Sequence, residues 1–333
     1  MPNNRHPDTE EECRQETING QSKFEKFDEL PSELQIETAK NLSNRDLLNF
    51  AQTSKYHLAL FKPMIDVRKL LHHVTRGEHD AVKAMLKKDI SLMFKRGVVT
   101  DCSGRKFENV SPFEYAMWAL DKHMWAAMIA CIPQSEESKQ IVEILIKQYN
   151  KVNTIGVTYK LNGQTITEKH FDFENTIIKE LQTQVDSINA PGERTNWDAI
   201  NKQWRDGVSG AQKRLPMHIV DEYCSNEPFH PVPKFTSQPK SSKQFYNWAT
   251  DKNENWFSVD SKSSVDFAIY KSGAGAVGGV VTRRAPHACW GGSQYALAAM
   301  KALYEVRTND FIDLNSQLED QMTLDNHHQV SHI

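Results

Sequence analysis

The sequence predicts a mainly α N-terminal half followed by an α+β C-terminal domain. Three observations predict it. Up to about Asn150 the apolar residues recur at helical spacing, most clearly Val67, Leu70, Leu71 and Val74 on the i, i+3, i+4, i+7 template. From Lys151 the texture changes: Thr154–Leu161 is β-rich and ends on Leu161-Asn162-Gly163-Gln164, a hairpin turn leading into Thr165–Thr167. Asn226–Ser242, rich in Pro and Ser, then separates short helices from strand-like runs and reads as a long loop.

The first element is a tail. Met1–Lys26 is polar, with Pro2, Pro7 and the Glu10–Glu12 acidic run, and is expected to be disordered. Residues 27–66 follow as a small helical module. Phe27–Ile65 reads FDELPSELQIETAKNLSNRDLLNFAQTSKYHLALFKPMI. Pro31 suits the first turn of a helix, where its missing N–H is no loss. Ser43-x-x-Asp46 starts a second helix like a capping box, before Leu47, Leu48 and Ala51. A piece of this size buries too little surface to stand alone, so its leucines call for a partner. The Leu-Pro-x-Glu-Leu opening and the Leu-Ser-x-x-Asp-Leu-Leu turn resemble an F-box, the module that plugs a protein into the Skp1–cullin ubiquitin ligase. The resemblance implies Skp1 contact through Leu30, Pro31, Leu34, Leu42, Leu47 and Leu48. Gln35, Thr38 and Ala39 stand where that family usually has hydrophobic residues, and Gln52 and Thr53 weaken the second helix in the same way.

Residues 67–150 read as consecutive amphipathic helices. Val82, Met85, Leu86 and Ile90 continue the pattern after the Arg76-Gly77-Glu78 turn, and a second pair covers Pro112–Leu120 and Met124–Ile132. Ser111-Pro112-Phe113-Glu114-Tyr115-Ala116 resembles the Thr-Pro-Leu-His-x-Ala start of an ankyrin repeat, with Asp101 and Gly104 upstream where that family places its turn. About two such units would lean on neighbouring domains for stability. A plain helical bundle is the competing interpretation.

Residues 151–317 form the α+β domain. Phe173–Ile188, Trp197–Gly207 and Leu215–Tyr223 are predicted helices, Phe245–Trp248 a helical turn, Trp256–Val259 and Val265–Tyr270 strands, and Gln294–Arg307 a final amphipathic helix. A polar, His-rich tail is expected from about Leu318 to the end, 318–333.

The 333 residues are 39% hydrophobic and 25% charged with a net charge of −3, which gives no global electrostatic case for nucleic acid or an anionic membrane. Five scattered cysteines point to a reduced compartment rather than a disulfide framework. Neither a signal peptide nor a membrane span is expected. Gly273-x-Gly275-x-x-Gly278 is literally a dinucleotide fingerprint, but the first acidic residue after it is Glu305 and little chain remains, so a flexible loop or bulged hairpin is expected. His218, Cys224 and His230 share zinc-ligand chemistry at a spacing that fits no compact finger, so no metal and no cofactor are expected.

F-box, ankyrin-like helices and a further C-terminal module in this order resemble type IV-secreted effectors of intracellular bacterial pathogens. That resemblance implies delivery into host cytoplasm, capture of Skp1 and through it a cullin ligase, and presentation of a target protein without catalysis. Two alternatives remain: an effector enzyme using Cys289 with His218 or His287 as base, and a structural helical scaffold.

Overall fold

The computed structural model describes residues 27–133, 136–191, 196–247, 250–257, 268–271, 281–283 and 290–329. The chain divides into two compact units, Met1–Asp66 and Val67–Ile333.

In the first unit a 3-10 turn, Phe27–Glu29, precedes α1 (Ser32–Ala39), α2 (Asn44–Ala51) and the start of α3 (Lys55–Thr75). Pro31 is the N-cap of α1 rather than a first-turn residue, and its carbonyl accepts from Leu34 and Gln35. Ser43 caps α2, its hydroxyl accepting from the Asp46 N–H at 3.1 Å. Gln52 and Thr53 end α2 rather than weakening it, since the Thr53 hydroxyl donates to the Phe50 carbonyl. The core is small: Ala39, Leu47, Ala51 and Phe61, with Phe27, Ile36, Leu42 and Phe50 leaning on it. Gln35 and Ala39 are core positions too.

The second unit continues through α4 (His79–Leu86), strands β1 (Gly97–Thr100) and β2 (Lys106–Val110), helices α5 (Pro112–Trp118), α6 (Lys122–Ile129) and α7 (Glu136–Thr154), and strands β3 (Val157–Leu161) and β4 (Gln164–Glu168). Then come α8 (Lys179–Asn189), α9 (Trp197–Lys202), α10 (Ser209–Gln212) and α11 (Met217–Tyr223). Strands β5 (Gln244–Asn247), β6 (Lys252–Asn255), β7 (Ile269–Lys271) and β8 (Val281–Arg283) lead to α12 (Trp290–Gln329). The first four strands make an antiparallel sheet in sequence order, and the last four make a mixed sheet ordered β6-β5-β8-β7 with β5 and β8 parallel.

Three expectations are corrected. Residues 67–150 are not helical throughout: the β1–β2 hairpin interrupts them, its turn closed by Asp101, which accepts from the Ser103 and Arg105 amides, and by Gly104 at φ +84°. The turn at Phe245 is the strand β5, because Phe245 and Asn247 point inward with period two. The final helix does not stop at Arg307 or give way at Leu318; Phe311, Leu314 and Leu318 extend its buried stripe and the helix runs to Gln329. The Leu161–Gln164 turn forms as expected, with Asn162 at φ +50° and Gly163 at φ +79°.

The stretch from Ser111 starts α5 with a full capping box: Glu114 N–H donates to the Ser111 hydroxyl and Ser111 N–H to the Glu114 carboxylate. That buried carboxylate also takes Arg96 and Lys151, which ties α5 to α7. Nearby, Arg105 is buried among Trp118, Tyr159 and Phe171 at 5.3–5.5 Å from the ring centroids, and donates to the Arg214 carbonyl. Among the described residues no helix is long and apolar enough to cross a membrane.

Candidate functional site

Two places stand out, one in each unit. The first is the outer edge of the 27–66 module. Leu30, Leu34 and Leu48 are 37%, 52% and 44% exposed, joined by Tyr56 and Leu58 on the first turn of α3. Pro31 is also exposed, while Leu42 is half-buried against the small core. Leu47 is the correction among the predicted contact residues. It is 1% exposed and holds the module's interior, because the α2 face that packs on Phe61 and Ala39 carries Leu47 rather than Leu48. Gln35 donates to the Leu30 carbonyl at 2.8 Å and so fixes the segment that displays Leu30. Sequence reasoning missed Tyr56 and Leu58, although their position at the head of a new helix was a readable signal.

The second place is α11, a short helix with all seven residues buried, four of them ionisable: His218, Asp221, Glu222 and Tyr223. The His218 ring donates from Nε2 to the Ala119 carbonyl at 2.6 Å and leaves Nδ1 buried without a partner. Glu222 meets Arg307 at 3.4 Å. The Arg307 guanidinium also donates to the Phe235 carbonyl at 2.9 Å and to Asp310 at 3.0 Å, and lies 3.0 Å from His123 Nε2. Lys122 reaches Asp310 at 2.6 Å, and Lys271 donates to the Glu222 carbonyl and to Ser225. The cluster sits among residues of strained backbone: Leu120, Phe235 and Lys243 have φ values of +57°, +53° and +55°.

Burial sets the protonation here. It pushes the Asp221 carboxyl up to about 7, with Lys243 opposing, and Glu222 up to about 7, with Arg307 and Lys271 opposing. It brings His218 down to about 4, and His123 down to about 4 with help from the Arg307 charge. The Cys224 thiol is pushed well up by burial, which makes it unreactive.

A carboxyl whose folded value is raised stabilises the fold fully below its unfolded value, and that contribution is lost as pH rises through about 7. A histidine whose folded value is depressed contributes above its unfolded value, and loses that as pH falls toward 4. The two pairs offset each other between about pH 4.5 and 6.5, leaving a net decline from there to about 7.5. Urea unfolding is expected to give a stability about 1 kcal/mol lower at pH 8 than at pH 6. In the Asp221→Asn, Glu222→Gln variant the fall should be replaced by a rise; an unchanged fall would contradict the assignment.

Cys289 and His287 lie outside the described residues, as do Gly273, Gly275 and Gly278. His230 stacks on Tyr295 at 4.5 Å, and among the described residues no three His, Cys, Asp or Glu side chains converge to hold a metal ion. Arg307, His123, Asp310 and Lys271 were not singled out from sequence. An open cleft of about 430 Å³ adjoins α11 at Met217, lined also by Arg76, Cys102, Lys243 and Trp256.

Comparison with known proteins gives one family model and one relative. The family model described as the CBUA0006 C-terminal domain matches residues 176–318, a span that contains α11, Lys271 and Arg307. An uncharacterized Coxiella burnetii protein, CBUA0006, is 34% identical over 268 residues, covering 74% of this chain and 73% of the relative. No solved structure matches the chain.

Proposed function

This chain belongs to the family of the Coxiella burnetii protein CBUA0006, and from that premise we propose that it is a non-catalytic F-box adaptor recruiting a target protein to a host Skp1–cullin ubiquitin ligase. One observation carries the reading. Of the nine large apolar side chains that stand exposed among the described residues, five (Leu30, Leu34, Leu48, Tyr56 and Leu58) fall within the 27–66 module. Apolar side chains gathered in this way mark a contact surface. All but Leu30 sit on helices, in a segment whose sequence resembles the family that docks on Skp1 by laying leucines into a groove.

The relative's organism is an intracellular pathogen, and the proposal includes delivery into host cytoplasm by a type IV system. In the same reading, the second unit with its ankyrin-like helix pairs holds the target, and the cleft beside α11 is a place where the target could rest. Burying three leucines at about 1.5–3 kcal/mol each is sufficient for specific docking before entropy is subtracted.

The test uses purified full-length chain and Skp1. Wild type is expected to bind. The Leu30→Ala, Leu34→Ala, Leu48→Ala variant, all at exposed sites, should keep its unfolding midpoint and lose about a hundredfold or more in affinity. Undiminished binding by this variant, or no binding by wild type, would falsify the adaptor reading.

A further inference from the structure

The antiparallel sheet β1-β2-β3-β4 has two edge strands, and they differ. β1 carries a register shift between Gly97 and Val99 and lies so close to α3 that a Cβ on Gly97 would stand 2.9 Å from Val67 Cγ1. β4, Gln164-Thr165-Ile166-Thr167-Glu168, pairs with β3 in unbroken register over its whole length. It contains neither proline nor lysine, and Gln164, Thr165 and Thr167 are exposed. The Asn162-Gly163 turn is two residues long, so the Leu161/Gln164 pair that closes it is hydrogen-bonded and the ladder alternates from there. Gln164, Ile166 and Glu168 therefore turn their main-chain groups to β3, whereas Thr165 and Thr167 turn theirs outward. Among the described residues, those outward N–H and C=O groups have no backbone partner.

The edge is also held in shape. Glu168 accepts from Trp118 Nε1 at 3.1 Å and from the Tyr159 hydroxyl at 2.9 Å, and the Thr158 and Thr167 hydroxyls lie 2.7 Å apart. A preformed, unblunted edge is a template for a further strand. Which strand fits is written in β4 itself. Laid antiparallel to a second copy with the two-fold axis at Ile166, each Thr165 faces Thr167 of the other copy. Those pairs fall at the outward-turned positions, so each exchanges two main-chain hydrogen bonds, and threonine opposite threonine is a favourable cross-strand pair. Ile166, half-buried on the Tyr159 side of the sheet, meets Ile166 of the second copy. On the same side Gln164 meets Glu168, an amide donor facing a carboxylate acceptor. Beyond the strand, Lys169 comes opposite Gly163. At no position do like charges face each other.

We infer that β4 is a self-association edge: two copies of this chain pair through Thr165–Thr167 and join their sheets into one continuous sheet. The inference is independent of the adaptor reading. The contact is narrow, at the low end of the sizes that support specific association, so a dissociation constant of about 10–100 μM is expected.

The test follows the full chain by sedimentation equilibrium up to about 300 μM. Wild type is expected to show a monomer–dimer equilibrium. Thr167→Pro should weaken it about tenfold or more, because it removes one N–H donor from each Thr165/Thr167 pair. β3 makes no use of that donor, and an edge strand tolerates proline there, so the unfolding midpoint should hold. The register is read separately by mild oxidation of cysteine variants, with wild type and its five cysteines as background. Ile166→Cys should give a disulfide-linked dimer, since facing residues of such a pair stand about 4.5 Å apart at Cα. Gln164→Cys, which faces Glu168, should not. A chain monomeric throughout overturns the proposal and leaves the edge to an extended segment of another protein. Dimerisation undiminished in Thr167→Pro, or cross-linking in Gln164→Cys but not in Ile166→Cys, overturns it equally. Should Thr167→Pro fail to fold, the two cysteine variants decide alone.

Discussion

Replacing Arg307 with alanine is expected to cost the second unit about 3–5 kcal/mol, the range for removing one member of a buried charge pair. The side chain is 1% exposed and its guanidinium serves the Phe235 carbonyl, Asp310, His123 and Glu222 together. Asp310 keeps Lys122 as a second partner, but Glu222 loses the largest influence that lowers its carboxyl value. Removing Arg307 raises that value further, so Glu222 escapes by taking a proton at low pH and is stranded as an anion at high pH. The destabilisation should therefore be larger at pH 8 than at pH 6, read by urea unfolding at both. An equal loss at the two pH values would show that packing, not the Glu222 pair, sets the cost.

The adjacent leucines of α2 should behave oppositely. Leu47→Ala is expected to destabilise the first unit by about 2–4 kcal/mol, because it opens a cavity against Phe61, Ala39 and Ala51. Hydrogen exchange over 27–66 should accelerate accordingly, and under the adaptor proposal Skp1 capture should fall because the displaying surface unravels. Leu48→Ala, at a site 44% exposed, should leave exchange within about 0.5 kcal/mol of wild type while weakening capture directly. Equal protection in the two variants would mean that the module's inside and outside are assigned wrongly.

What the sequence made legible was local. The Asn162-Gly163 turn announces itself because its positive φ values suit those two residues. Ser43 and Ser111 likewise mark helix starts through their own side chains. The β1–β2 hairpin escaped because its turn spans Asp101–Arg105 without a two-residue signature, and its strands are four and five residues long. Strand β5 was mistaken for a helical turn because its parallel neighbour β8 arrives from a distant segment. In the 27–66 module the leucines could be read, but not which of them faces inward: neighbouring positions on a short helix look alike until the covering residue, Phe61, is in place. The α11 cluster was beyond local reading, since His218 meets Ala119 across 99 positions and Arg307 meets His123 across 184.

Those long separations bear on how the second unit comes into being. Lys122 meets Asp310, and Glu222 and His123 meet Arg307, on α12, and the Lys122–Asp310 bond closes a loop of 188 positions. During synthesis the α6 and α11 segments therefore leave the ribosome well before the α12 groups that they pair with exist. Burying them early would leave unpaired charges, so native consolidation waits for α12. Assembly governed by such distant contacts is slow, because chain closure must precede the interactions that reward it. A chain cut before α12 should emerge as a collapsed, protease-sensitive species rather than as a smaller folded domain.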